Sequence, residues 1–321
     1  MQTSLFERVR SSCKAVSERA RTIHVNHNLI TEYAANLPLN EIISPEHDKA
    51  THYLGVGKST VAYFVTLNAI NFGSGYFPRL KKRPGMSGYF TVASSLTDHY
   101  RNQGVISARA LSDISTADCI GIFQQDPENT DIRELMAHFS EALNQLGHYL
   151  IDRFEGEFTN LVEAADRSAE TLASLMIEMP YFNDIASYQD LTVSFFKRAQ
   201  LLSADLDLAL SGQRYGRFRD LSRLTIFADN LVPHVLQRDG ILTYEESLLD
   251  AIRREDLVPS GSEEEIEIRA CAVHAVELLV ESLQRKGQEI TAKDLDFLLW
   301  NRGQKPEYKA HPRHRTRTVF Y

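Results

Sequence analysis

Residues 262–283 read SEEEIEIRACAVHAVELLVESL and form the segment whose pattern most constrains how the chain folds. Ser262, followed three residues later by Glu265, has the spacing of a capping box and predicts a helix start. The residues that follow are apolar on nearly every face of that helix. Such a helix is stable in water only when it is covered on all sides, so we expect it at the centre of the fold.

Most of the remaining chain shows the same helical period. Apolar residues recur at three- and four-residue steps in segments 4–20, 128–154, 158–180, 193–210 and 291–303. Strand signals are few. Apolar and polar residues alternate, weakly, only in 87–92 and 315–321, and either segment could form a short edge strand. The sequence therefore predicts an all-α fold, mostly helical with minor short strands, in one globular domain over residues 1–321.

Composition narrows the class of protein. The chain has 321 residues, 43% of them hydrophobic, and a formal net charge of −8, which argues against a nucleic-acid partner. The three cysteines, Cys13, Cys119 and Cys271, are far apart and have neither zinc-site nor disulfide-framework spacing. No secretory signal or membrane-spanning run is recognisable. We expect a cytoplasmic monomer with a small-molecule substrate and no membrane partner.

The familiar catalytic and cofactor motifs are missing. GVGKST at 55–60 resembles the end of a P-loop, but His52 stands five residues before Gly57 and no strand precedes it, so a helix start is the better interpretation. Neither G-x-S-x-G nor H-E-x-x-H occurs. The histidines lack ligand spacing, so we expect neither a metal nor a cofactor.

Two charged residues stand in unusually apolar surroundings. Asp229 lies within RLTIFADNLVPHVL (223–236), where a desolvated carboxylate needs a partner or hydrogen-bond donors. From the residues alone, a helix cap is favoured over a catalytic acid. Lys197 lies within VSFFKRAQLL, where the simplest interpretation is a side chain that extends to solvent. Arg198 and Asp205, seven residues apart, suggest a structural ion pair.

Five sequence blocks together resemble the queuosine salvage protein family. They are LNAINFGSGYF (67–77), FFKRAQLL (195–202), IFADNLVPHVL (226–236), EIEIRA (265–270) and HRTRTVFY (314–321). The resemblance implies an enzyme that hydrolyses queuosine 5′-phosphate to queuine, with a fold similar to helix-hairpin-helix DNA glycosylases. The chain departs from the eukaryotic pattern at Asn230, which replaces an aromatic residue, and at Asn301, which replaces the aspartate of Y-L-W-D.

The resemblance also changes the interpretation of Asp229 and Lys197. Cleavage of an N-glycosidic bond builds positive charge on the sugar, and an ionised carboxylate in a water-poor pocket stabilises that charge or activates water. The resemblance thus favours Asp229 as the catalytic residue. Lys197 becomes a contact to the substrate phosphate or to Asp229 itself.

Further substrate contacts are expected from aromatic, amide and carboxylate side chains. A planar base requires aromatic faces and amide edges, for which Asn71, Phe72 and Phe227 are candidates, although core packing is the common role of such aromatics. Asp184 is a candidate for the cationic amine of queuine. The basic tail at 313–317 serves either as a docked terminus or as electrostatic help for an anionic nucleotide.

Two other functions remain open at this point. One is a glycosylase that acts on another nucleoside or on DNA, which for duplex DNA would require a basic groove and a wedge for base flipping. The other is a non-catalytic helical protein that binds a nucleobase.

Overall fold

Helices dominate the computed structural model, which describes residues 3–42 and 47–321. The α-helices are α1 Leu5–Ser17, α2 His27–Asn36, α3 Lys58–Ala69, α4 Gly88–Gln103, α5 Ala108–Ser112, α6 Thr116–Phe123, α7 Thr130–Phe154, α8 Phe158–Ala164, α9 Ala169–Met176, α10 Lys197–Ala209, α11 Leu231–Arg238, α12 Glu246–Arg253, α13 Glu263–Arg285, α14 Ala292–Gly303 and α15 Pro306–Lys309. Short 3₁₀ turns occupy Leu39–Ile42, Ser74–Tyr76, Pro180–Phe182, Arg214–Gly216 and Leu221–Arg223. The predicted mostly helical class is confirmed, and the likeness to helix-hairpin-helix glycosylases stays a prediction.

The strands are short and form two antiparallel pairs. They are β1 Ile23–Val25, β2 Ile185–Tyr188, β3 Leu191–Ser194 and β4 Leu242–Tyr244, with β1 paired to β4 and β2 paired to β3. Segments of three or four residues carry too little alternation to be recognised in a sequence. The predicted strand at 87–92 is wrong, because Ser87 accepts a hydrogen bond from the Phe90 N–H and starts α4. In the predicted tail strand, only Arg315 forms an isolated bridge, to Leu257.

Helix α13 is the central element, as predicted. Ser262 caps it by accepting the Glu265 N–H, and every residue from Glu265 to Val273 is buried. It packs against α1, α2, α11 and α14 and also contacts β1, β2 and β4. One hydrophobic core cluster extends from Leu5 to Tyr308 around it.

The segment predicted as one helix over 158–180 is two helices, α8 and α9. Asp166 and Arg167 between them have φ angles of 45° and 58°, which interrupts the helical backbone. The carboxylate of Asp220 accepts the N–H groups of Ala169 (2.6 Å) and Glu170 (3.2 Å), so the start of α9 is held from another part of the chain. Nothing in the local sequence reveals this distant partner.

Among the described residues, no helix combines the length and the apolar character needed to cross a bilayer.

The last residues pack against the turn that follows α3. The Gly73 N–H donates to the Tyr321 carbonyl at 2.9 Å, and Arg317 pairs with Asp131 at 2.9 Å. Gly75 lies so close to the tail that an added Cβ would stand 2.3 Å from the Thr316 carbonyl oxygen. The absence of a side chain at Gly75 is therefore what lets the tail dock.

Gly75→Ala should push the tail off this turn and destabilise the protein by about 1–3 kcal/mol, the usual cost of overpacking. Gly121→Ala is the matched control, because Gly121 lies within α6 and a Cβ there has no atom within 4 Å. Alanine favours helix over glycine by about 1 kcal/mol, so the control should melt at the wild-type temperature or higher. Equal melting temperatures for Gly75→Ala and wild type would contradict this account of tail docking.

Candidate active site

A cavity of about 790 Å³ opens between α10, α14, the start of α11 and the tail. This volume lies within the range of small-molecule sites. Five of the six side chains singled out from the sequence line it, namely Asn71, Phe72, Lys197, Phe227 and Asp229. Asp184 does not.

Lys197 is the first residue of α10, not an interior helical residue as the sequence suggested. The preceding Phe196 has φ 52°, a left-handed conformation that is costly for a bulky residue. Strand β3 therefore turns sharply into α10, and Lys197 lies at the turn with only 6% of its surface exposed. Its side chain lines the cavity and does not extend to solvent as a surface lysine would.

Arg198 anchors the walls around this turn. Its buried guanidinium donates to four backbone carbonyls, those of Asn68, Ala69, Tyr181 and Val319. The predicted ion pair with Asp205 is wrong, because seven residues along a helix separate two side chains by roughly 10 Å. Arg198 instead connects α3 and the tail to α10.

Gln200 makes the next connection from α10. Its amide nitrogen donates to the Phe195 carbonyl at 2.9 Å, and its amide oxygen accepts the Thr225 N–H at 3.0 Å. The turn that carries Lys197 is thereby tied to the segment that leads to Asp229.

Asp229 precedes α11 and faces the cavity. Its Oδ1 accepts the Leu231 N–H at 2.7 Å, so it does stabilise the helix start. The residues before it are also fixed, since Asp296 accepts the Phe227 N–H at 2.8 Å and Arg269 Nε donates to the Ala228 carbonyl at 3.0 Å. Capping and a cavity-facing role are therefore both compatible with the position of Asp229.

Asp184 forms a buried ion pair and does not line the cavity, while its role in amine binding stays a prediction. Its two oxygens accept from Arg269 Nη1 at 3.0 Å and Nη2 at 2.6 Å. Asp184 and Arg269 are only 3% and 2% exposed. Asp184 Oδ2 also lies 3.4 Å from the Lys197 backbone nitrogen, so this carboxylate positions the start of α10.

Three carboxyl groups surround Lys197 in the cavity. Burial lowers the pKa of Lys197, while the charges of Asp229, Asp296 and Asp205 act in the opposite direction. Burial raises the pKa of Asp296 to about 7, with the charge of Asp229 adding to the effect. Burial likewise raises the pKa of Asp205 to about 6.

Asp205 belongs to a polar group that lines the cavity with His47 and His52. Its Oδ2 accepts from Asn68 Nδ2 at 2.8 Å, and its Oδ1 lies 3.5 Å from His47 Nε2. Burial lowers the pKa of His47 and His52 to about 4, so both imidazoles are neutral at pH 7. The His47 contact is therefore not an ion pair.

Asp205 and Asp296 were not predicted to be cavity residues, although their surroundings carried a signal. Each is an aspartate between apolar residues, in ADLDLAL (204–210) and DLDFLLW (294–300). The aromatic lining at Tyr89, Phe90 and Trp300, whose rings have centroids 5.2–6.4 Å apart, was not predicted either. Only the fold brings these separate segments together.

The basic tail does not act as one cluster. Arg313 and Arg315 line the cavity, but Arg315 lies 3.3 Å from Glu255. Arg317 pairs with Asp131 away from the cavity. His314 is buried, and its pKa falls to about 3, mainly because of burial, so it is neutral. Arg313 is the tail residue placed to meet an anion.

Within residues 3–42 and 47–321, no group of three or more His, Cys, Asp or Glu side chains is placed to hold a metal ion. That activity needs no metal or cofactor stays a prediction.

The fold is helical, and its ligand-sized cavity is lined by buried carboxyl groups and a lysine. These features are typical of an enzyme that binds a small polar molecule. Comparison with known proteins identifies the family. The family model described as "Queuosine salvage protein" matches residues 51–321, and the chain belongs to this family.

Curated relatives resemble the chain over nearly its whole length. One from Sphaerobacter thermophilus, named queuosine 5′-phosphate N-glycosylase/hydrolase, is 34% identical over 98% of this chain and 97% of its own. Relatives with the same name from Bos taurus and Mus musculus are each 30% identical over 97% of this chain and 98% of theirs.

Asp229→Asn separates capping from chemistry. Asparagine caps a helix about as well as aspartate, so the melting temperature should stay near that of wild type. If the carboxylate stabilises the transition state, kcat for hydrolysis of queuosine 5′-phosphate should fall by roughly 10²–10⁴, while queuine binding largely survives. Wild-type turnover in a folded Asp229→Asn protein would show that the carboxylate is only structural.

Lys197→Ala should lower kcat/KM at least roughly tenfold, equivalent to about 1.4 kcal/mol of barrier, because the cavity loses the cation among its carboxyl groups. Lys58→Ala is the matched control, since Lys58 is also the first residue of a helix but is exposed and away from the cavity. Steady-state kinetics and thermal melting measure both variants. Unchanged kinetics in Lys197→Ala would remove Lys197 from the site.

Proposed function

We propose that the protein hydrolyses the N-glycosidic bond of queuosine 5′-phosphate and releases queuine and ribose 5-phosphate. The observation that carries this proposal is Asp229, a cavity-facing carboxylate held by the Leu231 N–H and lying near the buried Lys197. As the bond to the base breaks, positive charge grows on the sugar, and a preorganised carboxylate in a water-poor site stabilises it. The names of the curated relatives support the same reaction.

The cavity carries charges of both signs, which suits a substrate that has a cationic amine and an anionic phosphate. Asp205, Asp229, Lys197 and Arg313 all line it. Asp205 is the better candidate for the amine of the base, because it lines the cavity and Asp184 does not. The phosphate would lie toward Arg313, with the anomeric carbon beside Asp229.

Side chains that suit a flat base also line the cavity. Phe72 and Phe227 line the cavity as expected from the sequence, and Asn71 offers an amide edge. The ring of Phe227 is fixed by an edge contact with Phe297, at a centroid distance of 6.4 Å. Aromatic faces held in place bind a planar ring at little entropic cost.

The direct test is to incubate the purified protein with queuosine 5′-phosphate and to separate the products by liquid chromatography. The proposal predicts equal amounts of queuine and ribose 5-phosphate. Tight binding of queuine without release from the nucleotide would instead indicate a non-catalytic nucleobase-binding protein. Release of bases from duplex oligonucleotides would indicate a DNA glycosylase.

The 5′-phosphate should be preferred over the nucleoside by roughly a hundredfold in kcat/KM, because a doubly charged phosphate gains a charge-assisted contact with Arg313. Arg313→Met keeps the apolar stem and should reduce this preference several-fold. The nucleoside is the internal control, since the variant should hydrolyse it at the wild-type rate. Equal kcat/KM of wild type for the two substrates would refute the phosphate preference.

A further inference from the structure

Asp296 lines the cavity, and one of its carboxyl oxygens accepts a backbone hydrogen bond while the other is available to a ligand. It lies on α14, whose start is fixed by the reciprocal capping of Thr291 and Asp294. It is 4% exposed and lines the cavity. Its Oδ1 accepts the Phe227 N–H at 2.8 Å, and within the described part of the chain its other oxygen makes no hydrogen bond.

The surroundings of Asp296 favour its neutral form. The charged groups that face it are Asp229, from the segment before α11, and Lys197, from α10. Burial is the main reason that its pKa rises to about 7, the Asp229 charge adds to the rise, and the Phe227 N–H and Lys197 oppose it only in part. Asp296 therefore carries a proton in a substantial fraction of molecules at neutral pH. Carboxyl groups whose environments differ in this way commonly divide acid and charge-stabilising roles.

We propose that Asp296 is the general acid that protonates the departing nucleobase. This inference rests on the proposed hydrolysis. The electron pair of the bond between C1′ and the base nitrogen moves onto the base, which takes the proton of Asp296, while Asp229 stabilises the positive charge at C1′. A water oxygen then bonds to C1′, and the proton that the water releases returns to the Asp296 carboxylate through solvent. One water is consumed, and the enzyme ends in its starting protonation state.

The first test is the pH dependence of Asp296→Asn with queuosine 5′-phosphate. Asparagine can still accept the Phe227 N–H, so the fold should be retained. A proton donor with a raised pKa is active below that pKa, so wild-type kcat/KM should fall as pH rises above about 7. The variant should be roughly 10²–10⁴-fold slower and should lack this descending limb. Asp207→Asn is the control, since Asp207 is a half-buried carboxylate on α10 whose pKa burial also raises but which does not line the cavity.

The second test changes the leaving group. The 4-nitrophenyl β-riboside 5-phosphate releases nitrophenolate, which needs no proton. Asp296→Asn should hydrolyse it within about threefold of wild type, whereas Asp229→Asn should lose activity on both substrates. A purely structural role for Asp296 would reduce both reactions alike and would overturn the inference.

A third measurement tests the raised pKa of Asp296 through the pH dependence of the melting temperature. Because the pKa of Asp296 is raised in the folded protein, its ionisation destabilises the fold, and that loss grows as pH rises through about 7. The melting temperature of Asp296→Asn, relative to wild type, should therefore increase between pH 5 and pH 8. A constant difference would contradict the raised pKa.

These results distinguish the two proposals. A wild-type protein that releases no queuine refutes the proposed hydrolysis. An active wild type together with an Asp296→Asn variant that keeps its rate and its descending limb refutes only the role of Asp296.

Discussion

The buried ion pair between Asp184 and Arg269 is the constraint on which the site depends, because it joins the two segments that carry Lys197 and Asp229. Arg269 holds the Ala228 carbonyl next to Asp229, and Asp184 lies against the backbone nitrogen of Lys197. A buried pair contributes little net stability, but loss of one partner leaves an uncompensated charge and costs about 3–5 kcal/mol. The pair is therefore better understood as fixing geometry than as stabilising the fold. A carboxylate that acts on a developing charge must be in place before the reaction, and this contact supplies that placement.

The sequence blocks that carry the family resemblance either line the cavity or hold the segments that do. In EIEIRA, Glu267 accepts three backbone N–H groups, of Arg21, Thr22 and Ile23, and Arg269 makes the pair with Asp184. In KRAQ, the lysine lines the cavity, the arginine holds four carbonyls, and the glutamine reaches Thr225. Glu267, Arg269 and Arg198 are buried, and each binds partners far away in the chain. Such residues have few acceptable substitutes, because an unpaired buried polar group costs about 1–3 kcal/mol.

The spacing of apolar residues predicted many of the helices. Charged residues within apolar segments pointed to Asp229 and Lys197, which line the cavity. Helix α13 was predicted to be central because it is apolar on nearly all faces, and Asp229 was noticed because it is a carboxylate in an apolar segment. Two of the features that the sequence did not predict have a cause that is distant along the chain. Asp184 is neutralised by Arg269, 85 residues away. The start of α9, just after the break that separates it from α8, is capped by Asp220. The left-handed Phe196 that turns β3 into α10 has no local signature, since glycine or asparagine would be expected there.

The balance of charge within the cavity explains why a proton belongs there. Asp205, Asp229 and Asp296 line the cavity together with Lys197. Burial raises the pKa of Asp205 and Asp296, and the charge of Asp229 adds to the rise at Asp296. A substrate that brings a cationic amine to Asp205 would compensate one of these carboxylates. The proton would then reside mainly on Asp296. The negative charge that favours binding of a cationic base would thus also favour the protonated form of Asp296, the proposed acid for release of that base.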